Sequence, residues 1–138
     1  MEFLLVEDNE ADIFLISLLL EESLYQDKLT VINDGAEAIK YLSPPKNSKK
    51  VKLPDLMILD LNLPRRSGLE VLQTIKDIEE LKDLKIVVLT SSENQEDVIL
   101  SKQLGAIEYF SKPTKLSEYE NIVKSIFEIA HKQIKASD

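Results

Sequence analysis

The run Leu56-Met57-Ile58-Leu59 constrains this chain more than any other stretch. It is continuously apolar, with Pro54 before it, Pro64 after it, and Asp60 following directly. A run that short, without polar alternation, fits a strand covered on both faces in a parallel sheet. Asp60 then stands where the strand leaves the core, at the carboxyl end where open α/β sheets bind ligands.

The rest of the chain supplies the alternating elements that such a sheet requires. Phe3-Leu4-Leu5-Val6 reads as a first buried strand, stopped by Glu7-Asp8-Asn9. A helix pattern follows from about Ala11 to Leu24, with Asp8 or Asn9 able to cap it. Leu29 to Ile32 is a second strand, ended by the turn and helix-start signal Asn33-Asp34-Gly35. A short helix over Ala36 to Leu42 precedes the Leu56 strand, and Ser67 caps a helix from Gly68 to about Ile78. Lys85 to Leu89 is a fourth strand, Asn94 to Leu104 a helix, and Gly105 suits the left-handed residue that ends helices. Ile107 to Phe110 is a fifth strand. In the last helix Leu116, Tyr119, Ile122, Val123, Ile126, Phe127 and Ala130 recur at three- and four-residue spacing, so that one face packs. Five strands alternating with five helices make a doubly wound α/β sheet. The stretch 43–54, with four lysines, departs from this economy and reads as a long solvated surface loop.

At 138 residues the chain suits one domain, taken as 1–138 with a polar tail over 131–138. A net charge of −8 argues against a nucleic-acid surface. The absence of cysteine excludes a thiol nucleophile, a disulfide framework and a zinc-thiolate site. The amino terminus lacks a charged region and cleavage site of the secretory type, and the longest apolar run is too short to cross a bilayer. A cytoplasmic protein with no membrane contact is expected. The single histidine, His131, lies in the last helix far from the strand ends, so an exposed position without a relay role is expected.

Four strands present polar groups at their carboxyl ends: Glu7 and Asp8, Asp60, Thr90, and Lys112 after Phe110-Ser111. In a parallel sheet these ends share one edge. Singly, each has an ordinary reading: Glu7-Asp8 or Thr90 as helix caps, and Lys112 as a surface lysine. Together they are chemistry. Three carboxylates meeting would repel unless one keeps its proton or a cation joins them. Oxygen-only ligands suit a hard ion, Mg²⁺ above all. With Lys112 as a further positive charge and Thr90 as a hydroxyl donor, the set suits a dianionic phosphoryl group attacked by a carboxylate oxygen.

The ordered set Glu7-Asp8, Asp60 with Leu63-Pro64 and Gly68, Thr90-Ser91, and Tyr109 with Lys112-Pro113 resembles the receiver domain of two-component response regulators. The resemblance spans about Phe3 to Ala130 and implies a flavodoxin-like fold with strand order 2-1-3-4-5. It implies Asp60 as phosphoacceptor, Asp8 as a direct ligand of Mg²⁺ (or Mn²⁺), Glu7 as a ligand through water, and the Asn62 backbone carbonyl as a further ligand. Thr90 and Lys112 would contact the phosphoryl group, Tyr109 would be the aromatic switch, and the Lys112–Pro113 peptide bond would be cis. Glu7 departs from the family pattern, in which Asp is common, but its longer side chain still reaches a metal-bound water. The Glu-Asp-Asn start, the run Asp60-Leu61-Asn62-Leu63-Pro64-Arg65-Arg66-Ser67-Gly68 and the lysine-rich loop look most like single-domain regulators that partner bacterial phytochrome kinases.

The resemblance implies a sensor histidine kinase as phosphate donor and no enzyme activity beyond slow autodephosphorylation. Output would pass through a downstream protein or a homodimer, since no output domain is visible. On a helical wheel of the first helix, Asp12, Leu15, Ile16, Leu19 and Leu20 face the sheet, whereas Phe14 and Leu18, flanked by Ile13, face away as a docking surface for a partner. Two other readings compete. A haloacid-dehalogenase-like Mg²⁺-dependent phosphatase wants a second Asp where Asn62 stands. An inert receiver-like interaction module would not need Asp60, Thr90 and Lys112 together.

Overall fold

The computed structural model describes residues 1–44 and 53–136, with the side chains of 133–136 left aside. The lysines of the 43–54 loop fall outside the described residues. Five parallel strands form one sheet in the order β2-β1-β3-β4-β5: β1 Glu2–Val6, β2 Lys28–Ile32, β3 Leu56–Leu59, β4 Lys85–Thr90 and β5 Glu108–Ser111. The helices are α1 Glu10–Glu22, α2 Gly35–Leu42, α3 Gly68–Ile75, α4 Gln95–Gln103 and α5 Leu116–Ala136, with a short 3₁₀ turn over Glu79–Leu81.

Strand alternation divides the core into two layers. Leu4, Val6, Met57, Leu59, Ile86 and Val88 point to one face, against Ala38 and Leu42 of α2 and Val71, Leu72 and Ile75 of α3. Phe3, Leu5, Leu56, Ile58, Val87 and Leu89 point to the other, against Ile16, Leu19 and Leu20 of α1 and Val123, Ile126 and Phe127 of α5. Every residue of β3 is buried, so its continuous apolar run follows from having helices on both sides.

The caps are local. Asn9, Asp34, Ser67 and Asn94 each accept a backbone N–H from the first turn of α1, α2, α3 and α4 respectively, and Ser67 with Glu70 completes a capping box. Gly105 takes φ +112° after α4, where a side chain would be strained.

Several expectations need correction. The Lys112–Pro113 bond is trans, as is every other peptide bond in the described residues; trans is the ordinary X–Pro preference, and the Lys112 amine reaches the strand edge from it. The first helix stops at Glu22, because the Ser23 N–H and hydroxyl both turn back to the Leu20 carbonyl. The third helix ends at Ile75, and extended backbone at Ile78 separates it from the 3₁₀ turn. Thr90 belongs to β4 and caps nothing; Asn94 does that work. Leu116 is exposed, because it opens α5 before the helix reaches the sheet. His131 is not exposed: its Nε2 lies 2.7 Å from the buried Asp27 carboxylate, and its ring stacks on Tyr25 at 3.6 Å.

Candidate functional site

The strand register explains why the polar residues converge. Val6 pairs with Leu59 and Leu59 with Val88, so Glu7 and Asp60 leave the sheet side by side. β4 runs on past Val88 to Thr90, which pairs with Ser111, and Lys112 follows. The Asp60 N–H donates to the Val6 carbonyl and the Lys112 N–H to the Thr90 carbonyl, so the backbone holds all three strand ends in place. Gly68 lets α3 begin directly against this edge: a Cβ there would lie 2.4 Å from the Asp60 carbonyl oxygen and 2.6 Å from Leu61 Cα.

The Asp60 carboxylate is buried and fully engaged. Its Oδ1 accepts from the Thr90 hydroxyl at 2.6 Å and from the Asn62 N–H at 3.1 Å. Its Oδ2 accepts from Lys112 Nζ at 3.1 Å. Lys112 also donates to Glu7 Oε2 at 2.7 Å and to Asp12 Oδ2 at 2.8 Å. Glu7 is 1% exposed, while Asp8 beside it is open to solvent.

Burial acts differently on the two charged partners. At Glu7 it dominates: despite the Lys112 hydrogen bond, and with the Asp60 charge adding to it, the carboxyl is raised from 4.5 to about 7. At Lys112 burial pulls downward, but the hydrogen bonds to Asp12 and Glu7 and the Asp60 charge prevail, and the ammonium is held well above its ordinary value. One lysine therefore faces more negative charge than it neutralises.

Glu7, Asp8 and Asp60 each offer an oxygen within 4.8 Å of the others. An all-oxygen set with surplus negative charge, one member of which is buried deeply enough to favour its proton, fits a hard divalent cation. Asn62 lies on the exposed loop directly after Asp60.

Tyr109 is half-buried, and its hydroxyl donates to the Ser92 carbonyl at 2.9 Å, which also accepts from Ser111 Oγ at 3.2 Å. Burial raises the phenol's pKa. On the other flank Phe14 is 70% exposed and Leu18 borders on exposure, while Ile13 is partly buried against the α1–α5 layer. Ile16, Leu19 and Leu20 face inward, as the wheel predicts, and Leu15 is partly buried.

Two features escape sequence reasoning. Helical spacing puts Asp12 on the inward face of α1, but its ion-pair partner Lys112 lies 100 positions away in sequence. Its location in the first turn after Asp8 is the only local hint. Arg65, at φ +64°, ties the β3–α3 loop to the start of α2 through Asp34 and Glu37.

The profile of the response regulator receiver domain matches residues 3–124. This chain belongs to that family. Response regulator Rcp1 of Synechocystis is 38% identical over 123 residues, 89% of this chain and 84% of the relative. The polar-differentiation response regulator DivK of Brucella ovis is 33% identical, covering 88% and 92% of the two chains. Among solved structures, the phosphorylated cyanobacterial phytochrome response regulator RcpA superposes with a TM-score of 0.87 at 39% identity, covering 96% of this chain and 94% of its own. The Mn²⁺-bound form of Rcp1 gives 0.83 at 38%, covering 91% and 90%. The flavodoxin-like fold and the strand order that the resemblance implies are thus present, and the chain is a receiver-domain response regulator of two-component signalling. The phosphatase and inert-module readings have no support in these likenesses. Among the described residues no helix is long and apolar enough to cross a membrane.

Proposed function

We propose that this receiver takes a phosphoryl group on Asp60 from the phosphohistidine of a sensor histidine kinase, and that the kinase is of the phytochrome class. The observation that carries the reading is the Asp60 carboxylate, buried between the Thr90 hydroxyl and the Lys112 ammonium and beside Glu7 and Asp8. The likeness to the cyanobacterial phytochrome response regulator RcpA supports the choice of kinase.

An Asp60 oxygen attacks phosphorus in line. The new O–P bond forms as the N–P bond breaks, and the imidazole leaves with the bonding pair. Lys112 and Thr90 are already turned toward Asp60 and donate to the phosphoryl oxygens once the carboxylate has become an acyl phosphate. Asp8 and Asp60 would ligate Mg²⁺ directly, with Glu7 acting through water and Asn62 through its backbone carbonyl. When bound, the ion neutralises charge on the transferring group.

Turnover is confined to slow autodephosphorylation. Thr90 and Tyr109 form the switch: the phosphoryl group draws on the Thr90 hydroxyl, and the Tyr109 ring follows. Readout passes to a downstream protein or a second copy of the chain, within the cytoplasm and without nucleic acid. The whole chain, 1–138, acts as one receiver domain. Ile13, Phe14 and Leu18 form the kinase-docking face, because an exposed aromatic beside the acceptor edge suits a helical partner.

Asp60→Asn keeps the shape and removes the nucleophile, so uptake of label from kinase or small donor should vanish. Stoichiometric labelling of that variant at the same position would defeat the reading. Phe14→Ala should slow transfer from the kinase about tenfold and leave uptake from a small donor intact; equal losses with both donors would remove Phe14 from docking.

A further inference from the structure

We propose that Asp12 is a positioning residue for phosphoryl transfer, holding the Lys112 ammonium so that its last donor points at Asp60. The inference rests on the reading of Asp60 as phosphoacceptor and assigns a role to a residue outside the family's motif.

An ammonium has three N–H donors. In Lys112 all three are taken, each by a carboxylate from a different element: Glu7 after β1 at 2.7 Å, Asp12 in α1 at 2.8 Å and Asp60 after β3 at 3.1 Å. The two shortest bonds are the ones that do not involve Asp60. An ammonium held at two donors cannot spin about its Cε–Nζ bond, so the third is aimed at Asp60 by geometry alone. Held only by Glu7, it could swing about that one contact and present its donors elsewhere.

Asp12 is itself well placed to hold. Its backbone N–H donates to the Asn9 side chain at 3.0 Å, which sets the first turn of α1. Beside it lies the Tyr119 hydroxyl, which is buried and makes no hydrogen bond of normal geometry among the described residues.

Phosphorylation converts the Asp60 carboxylate into an acyl phosphate. The acceptor charge moves from the carboxyl oxygens to the phosphoryl oxygens, and charged acceptors make the stronger bonds. The third donor then passes to the phosphoryl group, while Glu7 and Asp12 keep the other two. No rearrangement of the lysine is needed, which is the benefit of preorganisation. The hold also has a cost, because Asp12 adds negative charge at the mouth through which an anionic donor arrives.

These two effects separate in kinetics. With the full chain, saturating Mg²⁺ and acetyl phosphate as donor, Asp12→Ala should lower the maximal rate of uptake about tenfold. It should also lower the donor concentration for half-saturation, since the repulsion is gone. Asp12→Asn keeps a neutral acceptor and should lose only about two- to threefold in maximal rate. In a Lys112→Ala background, Asp12→Ala should cost nothing further in maximal rate, because the residue it positions is absent.

A readout independent of uptake is the NMR signal of the Lys112 ammonium in the metal-free protein. It should persist in the parent chain, where all three donors are held, and broaden away in Asp12→Ala. An unchanged maximal rate in both Asp12 variants, or an equal loss with and without Lys112, would overturn the proposal. Labelling of Asp60→Asn would instead overturn the phosphoacceptor reading, and the ammonium signal would then judge the geometry of Lys112 on its own.

Discussion

α1 and α4 flank the same site and are held in opposite ways. α1 buries Ile16, Leu19 and Leu20 against the sheet and α5, and its first turn is joined through Asp12 to the Lys112 ammonium. α4 buries only Ser101, whose hydroxyl has no partner among the described residues, and leaves Ile99 and Leu100 exposed. α4 is fastened at its two ends: Leu104, which follows it, packs in the core, and at its entry Tyr109 and Ser111 donate to the Ser92 carbonyl and the Ser92 hydroxyl donates to Asp97 at 2.6 Å. Burying three large aliphatic side chains is worth several kcal/mol, whereas each such hydrogen bond contributes about 1 kcal/mol. The α1 wall is therefore the rigid one, suited to holding Lys112 in register. The α4 wall is the looser one, because little must be broken to move it.

The largest expected effect tests the rigid wall through Glu7. Its carboxyl, raised by burial from 4.5 to about 7, holds a proton more tightly in the folded chain than in the unfolded one. The resulting stabilisation is fully present below the unfolded value and is lost as pH rises through the folded value. Asp34, lowered chiefly by its hydrogen bond from Arg65, and Glu70, lowered chiefly by the Ser67 N–H, shift the other way and titrate on the acid side of that window. Denaturation without divalent ions should therefore show a stability lower at pH 8 than at pH 5, by roughly 1–3 kcal/mol. Glu7→Gln should flatten the difference. A parent chain with equal stability at both pH values would mean that the Lys112 cluster costs nothing to ionise.

A smaller effect tests the looser wall. Tyr109→Phe removes one hydrogen bond to the Ser92 carbonyl, which keeps its bond from Ser111. The loss should be about 0.5–1 kcal/mol. It should appear as faster amide hydrogen exchange in α4, with α1 unchanged. If exchange rose equally in both helices, the contrast between the two walls would fail.

The difference between the walls is only partly legible in the sequence. The inward and outward sides of α1 followed from helical spacing, because a helix against an apolar sheet must match its period. α4 has no such stripe, so nothing in its spacing says how firmly it is held. The helix starts are more legible than the helix ends, because their signals are local, whereas α1 and α3 stop short of Leu24 and Ile78. Asn9, Asp34, Ser67 and Asn94 cap the turns next to them, and Gly105 ends α4 through its own backbone freedom.

By itself, the sequence determined that four strand ends would bring Glu7, Asp8, Asp60, Thr90 and Lys112 to one edge, because parallel strands joined by right-handed crossovers leave no other place for them. What only the tertiary structure decided is how these groups share their protons and charges. The choice of Asp12 over a surface position, the saturation of Lys112, the raised Glu7 carboxyl and the pairing of His131 with Asp27 all join residues from distant parts of the chain. Such pairings depend on distances of a few ångströms and on exclusion of water, and both arise only when separate elements pack.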